Sequence, residues 1–217
     1  EIGISKTNNG ATIIDCGINV PGSFEAGKYV IEICLGGLGT ATFSNIVIED
    51  LVLPTVNVSV TYPAISTLAS QFAGWRITDE NGKFFGMGSG PARALARKPK
   101  KMYEELKYTD DSDEAVLVIE TSKIPDDKIT EKIADACKVD TKNLYLVVMP
   151  TNSLVGSIQV SGRIVETGIH RLHVLGFDPH KIKHGYGYST IAFLHSDDTI
   201  MMGRANDQLL AGGCVYL

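Results

Sequence analysis

Residues 115–176 read AVLVIETSKIPDDKITEKIADACKVDTKNLYLVVMPTNSLVGSIQVSGRIVETGIHRLHVLG, and the order of patterns within them decides the fold class. AVLVIET (115–121) and LYLVVMP (144–150) are short, continuous, β-branched apolar runs of strand length. Between them, the segment from Pro125 to Cys137 has helical spacing behind a proline suited to a first turn. After Pro150, a single long helix from Thr151 to Gly176 would align Leu154, Ile158, Val165, Ile169 and Leu172 in one apolar stripe. The resulting β-α-β-α order predicts an α/β layer.

Upstream the texture differs. ATIIDCG, YVIEICLGG, NIVIED and TVNVSVTY, between Ala11 and Tyr62, read as strands of one sheet. A helix is predicted over Pro63 to Ala73, and Glu80-Asn81-Gly82 sits between two alternating arms as a hairpin turn. The polar, acidic stretch Thr109 to Glu114 marks a soft boundary. It would divide a β-rich part, residues 1–112, from an α/β part, residues 113–217, giving mixed α+β layers. In the last forty or so residues, GYGY (185–188) and AGG (211–213) read as glycine-rich turns between short strands.

The chain has 217 residues, 44% hydrophobic and 21% charged, enough to bury a core without disulfides. Its four cysteines, Cys16, Cys34, Cys137 and Cys214, are scattered without CxxC spacing and read as reduced thiols of a soluble cytoplasmic protein. No apolar run approaches the roughly 20 residues of a membrane span. A formal charge of −5 argues against nucleic acid as a partner. The local cluster Arg93, Arg97, Lys98, Lys100 and Lys101 suits a small anionic ligand or, equally, a solvated helix end. The opening on Glu1 and the apolar ending Cys214 to Leu217 suggest part of a longer chain.

Two segments could carry chemistry. Gly88-Ser89-Gly90-Pro91-Ala92-Arg93 follows a predicted strand and opens a helix, a geometry that can hold a phosphate or carboxylate or can simply be a tight packed corner. It is neither a Walker A loop nor GxGxxG. In SGRIVET (161–167), Arg163 and Glu166 are spaced to meet on one helix face beside Gly162, with Gln159, His170 and His173 on the same polar stripe. An ordinary surface pair would have the same spacing. His170 and His173 lack a third partner in sequence, so no metal site is expected.

DCGINVPGSFEAG (15–27), GSGPARAL (88–95), PTNSLVGSIQVSGRIVET (150–167) and GRANDQLLAGG (203–213), taken in this order, resemble the methenyltetrahydromethanopterin cyclohydrolase family. The resemblance spans essentially the whole chain. It implies a two-part α/β enzyme with a pocket between the parts, homo-oligomeric as a dimer or trimer. It further implies interconversion of the 5,10-methenyl cation of tetrahydromethanopterin and water with the N5-formyl compound. The tetrahydromethanopterin derivative is then a substrate, and no prosthetic group is required. Glu166 and Arg163 become the catalytic pair, while Gly88, Ser89, Gly90, Arg93 and Ser161 become candidates for substrate binding. Lys98 and Lys101 become candidates for the coenzyme's distal phosphate and carboxylates. Phe72 stands where many members carry Lys. A catalytically silent pterin-binding paralogue, or an inactive portion of the enzyme, is the competing reading.

Overall fold

A computed structural model describes residues 1–217. Its larger sheet has the order β1 (Gly3–Lys6), β2 (Thr12–Asp15), β8 (Leu144–Met149), β7 (Ala115–Glu120), β6 (Phe85–Ser89), β5 (Trp75–Thr78). The central strands β2, β8 and β7 are parallel, while β1, β6 and β5 join antiparallel at the two edges. The smaller sheet is wholly antiparallel, in the order β10 (Gly213–Tyr216), β9 (His184–Thr190), β4 (Leu51–Thr61), β3 (Gly39–Ile48).

Side-chain alternation shows why the central strands read as continuous apolar runs. On β7 and β8, Leu117, Ile119, Leu146 and Val148 face a core built with α4 (Asp127–Cys137) and α2 (Ala92–Ala96). Val118, Val147 and Met149 face the other way, onto α1 (Phe24–Cys34) and α5 (Leu154–Ser161). Strands buried on both faces carry no polar alternation. Residues of α1 and α5, with α6 (Ile164–Val174), also form the core against the smaller sheet, where Val56, Val58 and Val60 alternate inward. Helices α1 and α5 therefore lie between the two sheets.

The α/β class and the β7-α4-β8 order agree with the sequence, and several local readings change. YVIEIC of YVIEICLGG lies in α1, not in a strand, and LGG ends that helix. Its buried residues Gly27, Val30, Ile31 and Cys34 recur at three and four, and the Ser23 hydroxyl caps the helix by accepting from Ala26 N–H at 3.1 Å. The first half supplies strands to both sheets, so ATIIDCG and TVNVSVTY do not share one. Nor do the layers separate near residue 112: β2 runs parallel to β8, and β4 pairs with β9. GYGY lies inside β9, where Cβ atoms at Gly185 and Gly187 would crowd Val165 of α6. The AGG segment joins the end of a helix, α7 (Asp198–Ala211), capped by Asp197, to β10. Residues Ala64–Gln71 form a π-helical segment, with Phe72 N–H bonded five residues back to the Thr67 carbonyl at 2.8 Å. No helix is long and apolar enough to cross a membrane.

Candidate functional site

The expected long helix breaks at Gly162-Arg163 into α5 and α6. Gly162 has φ −68°, so its conformation is open to any residue. Its lack of a side chain matters for space: a Cβ there would lie 2.5 Å from both Cδ1 and Cγ1 of Ile31, a fully buried residue of α1. Gly162→Ala is therefore expected to destabilise the fold by about 1–3 kcal/mol through overpacking. An unchanged denaturation midpoint would contradict that close approach.

The break turns Arg163 inward, where its guanidinium meets acceptors from three elements. Nη1 donates to the Gln71 carbonyl at 2.6 Å, and Nη2 donates to Ser89 Oγ at 3.0 Å. Nε and Nη2 both donate to Gln159 Oε1, at 3.2 and 3.0 Å. Gln71 in turn donates from Nε2 to the Gly162 carbonyl at 3.0 Å, tying the π-helical segment to the break. Glu166 sits in the first turn of α6, 6% exposed, with Oε2 3.6 Å from Arg163 Nη1. That separation exceeds a hydrogen bond, and no other protein donor reaches the carboxylate. Burial pushes its pKa above the ordinary glutamate value, against the opposing pull of Arg163 and Arg93. The pair is thus a desolvated carboxylate beside a firmly held cation, unlike the solvated ion pair that the spacing also allowed.

The other predicted residues divide. Ser89, buried at the end of β6, joins the pair through Arg163 and lies 3.7 Å from Cys34 Sγ. Gly88 packs against Trp75 of the adjacent strand, and Gly90 (φ 100°) donates its N–H to the Ser70 carbonyl at 2.8 Å. The turn therefore directs this donor into the protein. Arg93 is fully buried, and its guanidinium bonds the carbonyls of Leu68, Ser70 and Lys98 at 2.9–3.1 Å. Burial lowers its pKa to about 10, so it remains a cation at neutral pH and a second positive neighbour for Glu166. The remaining Arg93 nitrogen, Nη2, is buried without a protein partner. Phe72 stacks on His170 with centroids 4.9 Å apart and lies under the Arg93 guanidinium. Ser161 donates to the Thr190 carbonyl at 3.0 Å, fastening α5 to β9. Lys98 and Lys101 are exposed, and Lys101, on α3 (Lys100–Leu106), faces Glu105 at 3.6 Å.

Glu120, the last residue of β7, carries no motif that marks it in the sequence. It accepts from Gln159 Nε2 at 2.7 Å and from Thr151 Oγ1 at 2.5 Å. With Met149 its register partner on β8, this network lies at the carboxyl ends of the parallel strands, the edge where α/β sheets bind ligands. Two clefts lie elsewhere. One of about 850 Å³ runs between the β5–β6 hairpin and α4, and one of about 310 Å³ is bordered by Arg76, Lys98, Pro99 and Lys132. Neither is lined by Arg163 or Glu166.

A family model described as Cyclohydrolase (MCH) matches residues 1–217. The methenyltetrahydromethanopterin cyclohydrolase of Methanocaldococcus jannaschii is 51% identical over 219 residues, covering 100% of this chain and 67% of that protein. Its counterpart in Methanococcus aeolicus is 50% identical with the same coverages. The protein of that name in Methanococcoides burtonii is 48% identical over 208 residues, 96% of this chain and 64% of its own length. The chain thus spans about two thirds of the length of these relatives.

Proposed function

Because the chain belongs to the cyclohydrolase (MCH) family, we propose that it catalyses addition of water to 5,10-methenyltetrahydromethanopterin, giving the N5-formyl compound. The observation that carries this reading is the buried Glu166 carboxylate, close to Arg163 yet not hydrogen-bonded to it. The methenyl carbon belongs to an amidinium, already electrophilic, so the protein's task is to deliver water and protonate the departing nitrogen. Glu166 accepts a proton from the attacking water and returns it to N10 as the C–N10 bond breaks, and the product hydroxyl proton leaves as the formyl group forms. A carboxylate whose proton affinity is raised by burial is a stronger base than one in water. Its negative charge also favours the cationic substrate. Arg163 keeps Glu166 oriented and restrains that rise.

Loss of the methenyl absorbance tests the assignment directly. Turnover supports it, whereas tight binding of the substrate without turnover selects the silent pterin-binding paralogue. Ser89 serves by holding Arg163, and Ser161 by fixing the helix that leads into it. Lys98 and Lys101 face solvent and suit the anionic tail of the coenzyme. Their joint replacement by alanine is expected to raise KM several-fold at low salt and much less at high salt, with kcat preserved. The fold should lose under about 1 kcal/mol, because exposed ion pairs contribute little. A salt-independent KM would remove these lysines from the site.

Assembly into a dimer or trimer is supported by the exposed apolar tip of the β3–β4 hairpin, where Val47, Ile48, Leu51 and Val52 face solvent. Four free cysteines suit a reducing cytoplasm. The chemistry as written draws its electrophile from the substrate and its proton transfer from Glu166, and it calls on no prosthetic group.

A further inference from the structure

Glu120 lies on the far side of Gln159 from Arg163, on a different element from either. An ionised carboxylate only accepts hydrogen bonds, whereas a glutamine amide has a donor end and an acceptor end. With Glu120 taking the Gln159 NH2 at 2.7 Å, the amide must turn its oxygen toward Arg163, where two guanidinium N–H groups share it. The reversed amide would set NH2 against guanidinium, donor against donor. Thr151 donates to the other oxygen of Glu120 and so fixes the carboxylate itself. The chain of contacts therefore runs from Thr151 through Glu120, Gln159 and Arg163 to the neighbourhood of Glu166.

We propose that Glu120 is a positioning residue for the reaction: it locks the orientation of the Gln159 amide, and through that amide the guanidinium beside Glu166. This rests on the reading of Arg163 and Glu166 as the reacting pair. The other hydrogen bonds of the Arg163 guanidinium go to one backbone carbonyl and the Ser89 hydroxyl, so loss of the two Gln159 bonds frees it to tilt. A tilt of this kind changes the 3.6 Å separation from Glu166, the quantity on which the proposed proton transfer depends. The charged or titratable groups to be considered are Arg163 and Arg93 around Glu166, and Cys34 and Glu120 around Arg163.

The test uses the whole chain and five variants: Glu120→Ala, Glu120→Asp, Glu120→Gln, Gln159→Leu, and Glu120→Ala combined with Gln159→Leu. Removing or shortening Glu120 is expected to lower kcat at least about 10-fold with KM within twofold. Glu120→Gln, whose carbonyl can still accept from Gln159, should recover to within about threefold. In the Gln159→Leu background, loss of Glu120 should change nothing further. A second readout needs no turnover: the Glu166 titration followed by carbon NMR of labelled glutamate should move upward in Glu120→Ala only while Gln159 is present. Wild-type kcat with an unmoved Glu166 titration in Glu120→Ala would overturn the proposal. So would a loss appearing in KM, or one that persists undiminished without Gln159, since either means that Glu120 acts on substrate directly. If the parent fails to turn over the methenyl compound, the functional reading fails, and the titration still decides whether Glu120 positions the pair.

Discussion

Replacing Glu166 with glutamine is expected to lower turnover of the methenyl substrate at least about 10²-fold while leaving its affinity within a few-fold. Glutamine fills the same space but cannot take a proton from water, so the loss should fall on kcat. Affinity should decline modestly because one negative charge opposite the cationic substrate is gone. Stability is expected to move the other way. The folded-state pKa of Glu166 is raised by burial, so its contribution to stability is fully present below the unfolded value, near 4.3, and is lost as pH rises through the folded value. At neutral pH the ionised form is the strained one. The guanidinium keeps its bonds to Gln71, Ser89 and Gln159 without Glu166. Glu166→Gln should therefore melt no lower than the parent at pH 7, as expected where a site sacrifices stability for activity. Near-wild-type turnover in this variant would remove Glu166 from the mechanism.

Arg163→Ala is expected to be damaging in both respects. It leaves a buried carboxylate without its nearest cation, a change that costs about 3–5 kcal/mol when a buried pair loses one member. It also strips donors from the Gln71 carbonyl, Ser89 Oγ and Gln159 Oε1 at once. With Arg163 gone, burial acts on Glu166 with only Arg93 in opposition, so its pKa climbs further and less of the base form remains at neutral pH. Turnover should fall at least about 10²-fold, and raising the pH should recover part of it. Arg163→Lys should rescue poorly: a single ammonium cannot reach Gln159, Ser89 and the Gln71 carbonyl from one position. Denaturation midpoints and kcat at two pH values check both halves of this expectation.

The parts of the fold that the sequence revealed are those where burial leaves a simple signature. β7 and β8 are apolar on both faces, and α4 keeps helical spacing to Cys137, although it begins at Asp127 behind an Asp126 cap and leaves Pro125 outside its first turn. α1 was misread because Val30, Ile31 and Ile33 are β-branched, and only their spacing with Gly27 and Cys34 betrays the helix. In β9, Gly185 and Gly187 mimic a turn although they are strand residues pressed against α6. The break at Gly162 was hidden because apolar residues keep helical spacing across it. Arg163 and Glu166 were visible as neighbours on a helix, but spacing cannot distinguish a buried pair from a solvated one, and the resemblance alone singled them out. Glu120 left no trace, because its contact with Gln159 joins a strand end to a helix 39 residues away in sequence. Arg93 was visible as a cation, yet a basic cluster does not disclose which member turns inward to bind backbone carbonyls.

In the proposed mechanism Glu166 reacts as a base whose proton affinity is set by burial against Arg163. The pH dependence of kcat/KM for hydrolysis of the methenyl substrate, compared between the parent and Arg163→Ala, tests it most directly. One acid limb above the ordinary glutamate range is expected in the parent, displaced to higher pH in the variant. A parent profile without an acid limb, or a limb that stays in place when Arg163 is removed, would contradict it.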